Sequence, residues 1–233
     1  MIVFQNKKND ILQVSFKNKG KDKVISYVNA LDGEILFNDI TEDGRAYYDR
    51  EKGRWRFERA VSIANVMKLK GIYSYEVGIT SNGTKDRYTT VDEIKQSNIN
   101  AFSFSGHSGN SIGTSLLLTN KNQDGSLPYD EIYPNNIPSN KEWKFAYLDA
   151  CDTGKTDDWA ENFKIWSTSK GKVLIETKDK LHINTAHEFS KSLEKNQKSY
   201  GGSLYDNFIR AKSDCNSRNF DSSLFNYRGD KNF

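Results

Sequence analysis

A chain of 233 residues with 34 basic and 31 acidic side chains, net charge +3, is long enough to bury a full core. Its charge is too balanced to make a case for the concentrated basic face that nucleic acid needs. Only 36% of residues are hydrophobic and the mean hydropathy is −0.78, yet Phe, Tyr and Trp make up 12%, and aromatics supply large buried areas that favour a folded domain.

Taken in chain order, the first 40 residues alternate as short strands: Ile11–Phe16, Lys23–Asn29 and Gly33–Phe37, with turns at Gly20 and at Leu31-Asp-Gly33. Lys17-Asn-Lys-Gly-Lys-Asp-Lys23 is a local basic run that reads as a solvated hairpin tip. Residues 1–44 are expected to form a small β appendage, with a hinge at Thr41–Arg45, and residues 45–233 the main domain. Phe57, Val61, Ala64 and Met67 recur at helical spacing between Trp55 and Lys70, and Gly71 stops them. Tyr73, Tyr75, Val77 and Ile79 alternate as a strand, and Thr90-Val-Asp-Glu93 has the form of a capping box. Ala101–Ser105 and Thr114–Thr119 read as further strands, as do Lys144–Asp149 and Lys172–Thr177. Trp159, Phe163 and Trp166 fit one helix face. Thr185–Glu188 fits the cap of a helix carrying Phe189 and Leu193, and Leu204, Phe208 and Ala211 line a last helix. The tail from Asn216 is polar and expected to fray. Strands separated by helices imply an α/β fold, with a mostly parallel sheet flanked by helices on both faces. No apolar run reaches the ~20 residues that cross a bilayer, and the N-terminus lacks a signal-peptide h-region, so membrane insertion is not expected.

Two segments carry the chemistry: Ala101-Phe-Ser-Phe-Ser-Gly-His107-Ser-Gly109 and Lys144-Phe-Ala-Tyr-Leu-Asp-Ala-Cys151-Asp-Thr-Gly154. Each is an apolar run ending in a small-residue turn with one reactive side chain. The interval between His107 and Cys151 is long enough for a crossover between parallel strands, which would bring both ends to one sheet edge. At these residues the chain resembles the caspase-like superfamily of cysteine peptidases, which includes legumains, gingipains, clostripain and CHAT domains. Their pattern is a strand ending in His-Gly and then a strand ending in Ala-Cys. Tyr147-Leu-Asp-Ala-Cys-Asp-Thr-Gly154 is similar to the Leu-Glu-Ala-Cys-Glu-Ser-Gly of legumains and the Leu-Ser-Ala-Cys-Glu-Thr-Gly of CHAT domains. The likeness spans roughly residues 45–215, with about fifteen residues specific to it.

The resemblance implies a cysteine endopeptidase acting on a polypeptide substrate, with Cys151 as nucleophile and His107 as general acid/base. Cys151 and the backbone amides of Ser108 or Gly109 would form the oxyanion hole. Ser108 departs from the family, which usually has Gly directly after the His; its amide keeps the donor while its side chain narrows the site. Asp149 and Asp152 stand where legumain-like enzymes carry acids of the specificity pocket, which implies cleavage after basic residues, with Asn second. Asp152 fits a helix cap or a solvated carboxylate equally well. A thiolate is the attacking species, and an adjacent imidazole and the start of a following helix would both favour it. The competing account is a buried structural Cys with a surface His, or a fold of this kind kept as a binding or regulatory module without turnover.

Five further patterns bear on function. Cys215 sits in a polar context as a bystander, and a Cys151–Cys215 bridge is the alternative to a free nucleophile. His182 and His187 follow the Cys, whereas the family places its catalytic His before it, so both read as surface histidines. Asp152-Thr-Gly154 matches the aspartic-peptidase tripeptide, but in one copy only, whereas that chemistry needs two acids. Asn120, Asn122, Asp124, Gly125 and Glu131 fall at EF-hand positions, the one route to calcium in a site otherwise needing no cofactor; position 1 is normally Asp and the run Leu116–Leu118 is strand-like, so a plain turn joining a hairpin to a helix is the favoured account. Tyr27–Leu36 is similar to the end of a secreted-peptidase propeptide module, which implies an exported protein. The absent h-region leaves a cytoplasmic one open.

Overall fold

The computed structural model describes residues 2–5, 12–16, 23–29, 46–49, 54–72, 74–80, 91–92, 94–95, 99–106, 108–109, 113–117 and 131–233. In chain order the elements are β1 (Ile2–Gln5), β2 (Leu12–Phe16), β3 (Lys23–Asn29), β4 (Ala46–Asp49), β5 (Arg54–Phe57) and α1 (Glu58–Leu69). Next come β6 (Ser74–Thr80), β7 (Ile99–Ser105), β8 (Ser108–Gly109), β9 (Ser115–Leu117), β10 (Glu131–Ile132) and β11 (Phe145–Asp149). The chain continues with α2 (Asp158–Phe163), β12 (Val173–Thr177), α3 (Ile183–Tyr200), α4 (Leu204–Ser217) and β13 (Phe225–Gly229).

Runs that are apolar on both sides of a strand can be covered only inside a sheet with packing on both faces. Phe145-Ala-Tyr-Leu and Val173-Leu-Ile are such runs, and every residue of β11 and β12 is buried. They lie in an eight-stranded sheet of order β1-β2-β6-β3-β7-β11-β12-β13. The five strands from β6 to β12 are mutually parallel. β2 pairs antiparallel with β6 and β1 with β2 at one edge, and β13 closes the other edge antiparallel to β12. The fold is α/β with a mostly parallel, mixed sheet. Phe102, Phe104, Ala146, Leu148 and Leu174 pack with Trp143 and with Trp159, Ala160 and Phe163 of α2 in one buried cluster. Phe163 meets Trp143 edge-on at 5.2 Å between ring centroids. α1 packs on β3 and β7, and α3 lies between α1 and α4. Among the described residues no helix is long and apolar enough to cross a membrane.

Several expectations are corrected. Within the first 44 residues, β3 occupies an interior position of the sheet between β6 and β7 and is parallel to both, where a hairpin strand was expected. Helix α1 starts at Glu58, because Arg54–Phe57 forms β5 and pairs with β4 instead. Trp166 is off the helix: Lys164 takes a left-handed conformation that ends α2, leaving Trp166 39% exposed. The cap of α3 is His182, whose Nδ1 accepts from the Asn184 amide at 3.2 Å, while Thr185 lies inside the helix. The tail does not fray, since Phe225–Gly229 is a paired strand whose Phe225 stacks on Phe189 at 3.9 Å. Gly33–Phe37 and most of the calcium-like segment lie outside the described residues, as do Thr90 and Glu93 of the capping box. Glu131 belongs to β10.

Candidate active site

The parallel register sets Ser105 at the end of β7 level with Asp149 at the end of β11. The ladder runs one bond further, with the Gly106 amide donating to the Asp149 carbonyl at 3.0 Å. The residue before His107 is thereby tied to the residue two before Cys151. His107 itself lies outside the described residues. Beyond it, Ser108 and Gly109 form β8 and pair with Leu116 and Ser115 of β9, so the two candidate oxyanion-hole residues are held in a small sheet.

A second tie comes from Gly113. Its φ is +63°, a conformation that disfavours a side chain, and a Cβ there would stand 2.3 Å from the carbonyl carbon and oxygen of Asp152. The Trp159 indole N–H donates to the Gly113 carbonyl at 3.0 Å, locking this close approach from α2. The segment after His107 therefore rests directly on the turn after Cys151.

That turn, Cys151–Gly154, is built by hydrogen bonds that converge from β12 and the loop beyond it. The Thr153 hydroxyl lies 3.2 Å from the Ala150 carbonyl and accepts from the Thr177 amide at 3.1 Å, while the Thr177 hydroxyl donates to Ala150. The Gly154 amide donates to the Thr177 carbonyl at 2.6 Å, and the Asp152 amide to the Asp179 carbonyl at 3.2 Å. Gly154 is required by proximity: a Cβ would lie 2.8 Å from Cγ of Glu176. Glu176 is fully buried, and its Oε1 accepts from Asn226 at 2.8 Å and Arg228 at 2.5 Å. Arg228 also reaches Asp157 at 2.6 Å. Burial pushes the Glu176 carboxyl upward against the pull of Arg228 and Asn226.

Cys151 is half-buried, and its Sγ accepts from the Leu181 amide at 3.3 Å, with the Leu181 carbonyl 3.8 Å away. The helix expected directly after the Cys is absent, because α2 begins only at Asp158 and the intervening residues are held as turns. The candidate pocket acids are both buried: Asp149 ends β11, 1% exposed, and Asp152 is 3% exposed with φ +62°. Asp152 pairs with Lys155 at 2.7 Å, a bond that raises the lysine, aided by Asp179 and Cys151 nearby. Its carboxylate is therefore engaged within the chain.

The remaining sequence candidates separate from this site. Both cysteines are free thiols. Cys215 is buried in α4, 4.0 Å from the Ser192 hydroxyl, and burial pushes its thiol up. Of the two histidines read as surface groups, His182 is exposed, but His187 is only 3% exposed on the inner side of α3. Sequence reasoning passed over Gly113, Glu176 as the buried partner of Arg228, and Leu181. Gly113 carries a faint signal as a glycine following the His motif; Leu181 carries none, since its role is that of a backbone amide. A comparison with family models gives no match, and neither does a comparison with curated proteins.

Proposed function

We propose that this chain is a cysteine endopeptidase of the caspase-like kind, with Cys151 as nucleophile and His107 as general acid/base. The observation that carries the reading is the tie between the two strand ends. β7 and β11 are parallel neighbours, and Gly106 donates to Asp149, so the two motifs finish side by side on one sheet edge. Such edges are where open α/β sheets bind ligands. In the reaction, the Cys151 thiolate attacks the scissile carbonyl carbon and forms a C–S bond while the carbonyl oxygen takes the negative charge. Amides from Ser108 or Gly109 and from Cys151 would stabilise that oxygen. The His107 imidazolium protonates the departing amine, and water then hydrolyses the thioester. The helices on both faces of the sheet, expected from the alternation of strands and helices, belong to this reading. So does cleavage after a basic residue or Asn, with Asp149 and Asp152 as the pocket acids that the resemblance implies.

The test is an alkylating peptide directed at active-site cysteines, combined with a mixed peptide library under reducing conditions. Labelling of Cys151 with Cys215 spared, and cleavage that vanishes in Cys151→Ala, is the expected result. Labelling confined to Cys215, with cleavage intact in Cys151→Ala, overturns it. A second reading, a binding or regulatory fold without turnover, is favoured by Ser108, whose side chain stands where the family has Gly. Silence against the whole library with a competent, folded chain would select that reading.

A further inference from the structure

We infer that the backbone amide of Leu181 holds Cys151 as a thiolate, taking the role that a following helix was expected to play. The inference deepens the proposed function and rests on Cys151 being the reactive thiol.

Three observations carry it. The helix that could offer amides to Sγ starts seven positions too late, at Asp158, so the turn after Cys151 supplies no helix terminus. A backbone N–H that does meet Sγ comes from Leu181, in the link between β12 and α3, at 3.3 Å. That link is itself pinned to the Cys turn, because Asp179, two residues before Leu181, accepts the Asp152 amide, and Thr177 accepts the Gly154 amide. The donor is therefore placed by a ladder between the loop and the turn.

Leu181 meets both protonation states of the thiol. Its carbonyl stands 3.8 Å from Sγ and can accept from the S–H; its amide stands at 3.3 Å and can donate to the sulfur. An S–H is a weak donor, whereas an N–H to an ionised acceptor is strengthened by charge. The shorter contact is also the one that favours the anion, so the pair of contacts draws the equilibrium toward thiolate. Ionisable groups on the described elements that meet at Cys151 are Asp149, Asp152 and Lys155 on its own strand and turn, and Asp179, Lys180 and His182 on the loop. Lys155 pairs with Asp152 at 2.7 Å and also interacts electrostatically with Cys151, so the Leu181 amide acts on the sulfur beside a cation.

The experiment follows the rate of Cys151 alkylation by iodoacetamide between pH 5 and 10, with the site of modification read by peptide mass. The unaltered chain should show an inflection below the ordinary thiol value of about 8.5. Leu181→Pro removes the N–H and should move that inflection upward by about one pH unit, a roughly tenfold loss of rate well below the inflection. An unchanged inflection in a folded Leu181→Pro chain overturns the inference. A readout that needs no loop variant is the Leu181 amide resonance, in protein labelled with 15N at leucine. It should shift with pH through the alkylation midpoint and stay flat in Cys151→Ala. A resonance that stays flat through the midpoint in the unaltered chain overturns the inference even if peptide cleavage is observed. A titrating resonance without cleavage sustains it while removing the peptidase reading.

Discussion

The two thiols of this chain occupy opposite environments. Cys151 stands half-buried at the end of β11, with a backbone amide against its sulfur and Lys155, Asp152 and Asp179 around it. Cys215 is wholly enclosed in the layer between α3 and α4, with the Ser192 hydroxyl 4.0 Å from its sulfur, and its thiol is raised by burial. Reactivity of a cysteine follows its thiolate fraction and its access, not its presence. A polar local sequence, Ser213-Asp-Cys-Asn-Ser217, coexists with a fully buried sulfur because helix periodicity turns Cys215 inward with Leu204, Phe208 and Ala211.

The largest expected effect comes from deleting the first thiol. Cys151→Ala should abolish peptide cleavage by at least about a thousandfold in kcat/KM, whereas Cys215→Ala should leave it within about twofold. Equal losses in both variants would remove the contrast between the two sites.

The next effect concerns the shell that supports the Cys turn. Arg228→Ala leaves Glu176 fully buried without its cationic partner, and breaking such a pair costs about 3 kcal/mol. The pH dependence has a definite sign. The folded-state pKa of Glu176 is raised above its ordinary 4.5, so its favourable contribution is fully present below that value and is lost as pH rises through the raised one. Losing Arg228 raises the carboxyl further, so the penalty from urea unfolding should be greater at pH 8 than at pH 5. A penalty independent of pH would place the cost in packing alone.

Gly113→Ala probes the contact between the two halves of the site. Its positive φ and the 2.3 Å approach to Asp152 together predict a loss of about 1–3 kcal/mol. Because the added methyl pushes on the Cys turn, Cys151 alkylation should slow while Cys215 keeps its protection. Slowing of neither thiol, with unchanged stability, would show that the segment yields freely.

The strand ends were legible because their signal is local. Phe145–Asp149, Ile99–Ser105 and Val173–Thr177 are apolar runs bounded by small or charged residues, and burial on both faces permits little else. Strand order was not legible. Lys23-Val-Ile-Ser-Tyr-Val-Asn29 has the alternation of a hairpin strand, and nothing within it says that both its neighbours, β6 and β7, lie later in the chain. β13 reads as a polar tail because only Phe225 and Gly229 of its five residues are buried, the pattern of an edge strand. The missing helix after Cys151 has the same origin. Asp152 and Gly154 spend their amides on carbonyls of Asp179 and Thr177, partners some 25 residues away that no local pattern names.

The smallest effect is the mildest change at the second thiol. Cys215→Ala removes one sulfur from a packed site without exposing a charge, so its cost should be about 1 kcal/mol. Labelling of native Cys215 requires the α3–α4 layer to open, and its rate should therefore rise with sub-denaturing urea in step with the fall in global stability. Cys151 is already accessible at its edge, so its labelling should be nearly insensitive to the same urea. If Cys215 instead reacts as fast as Cys151 in the absence of denaturant, the helical layer opens locally at little cost. Burial would then no longer distinguish the two thiols, and only the amide at Sγ would.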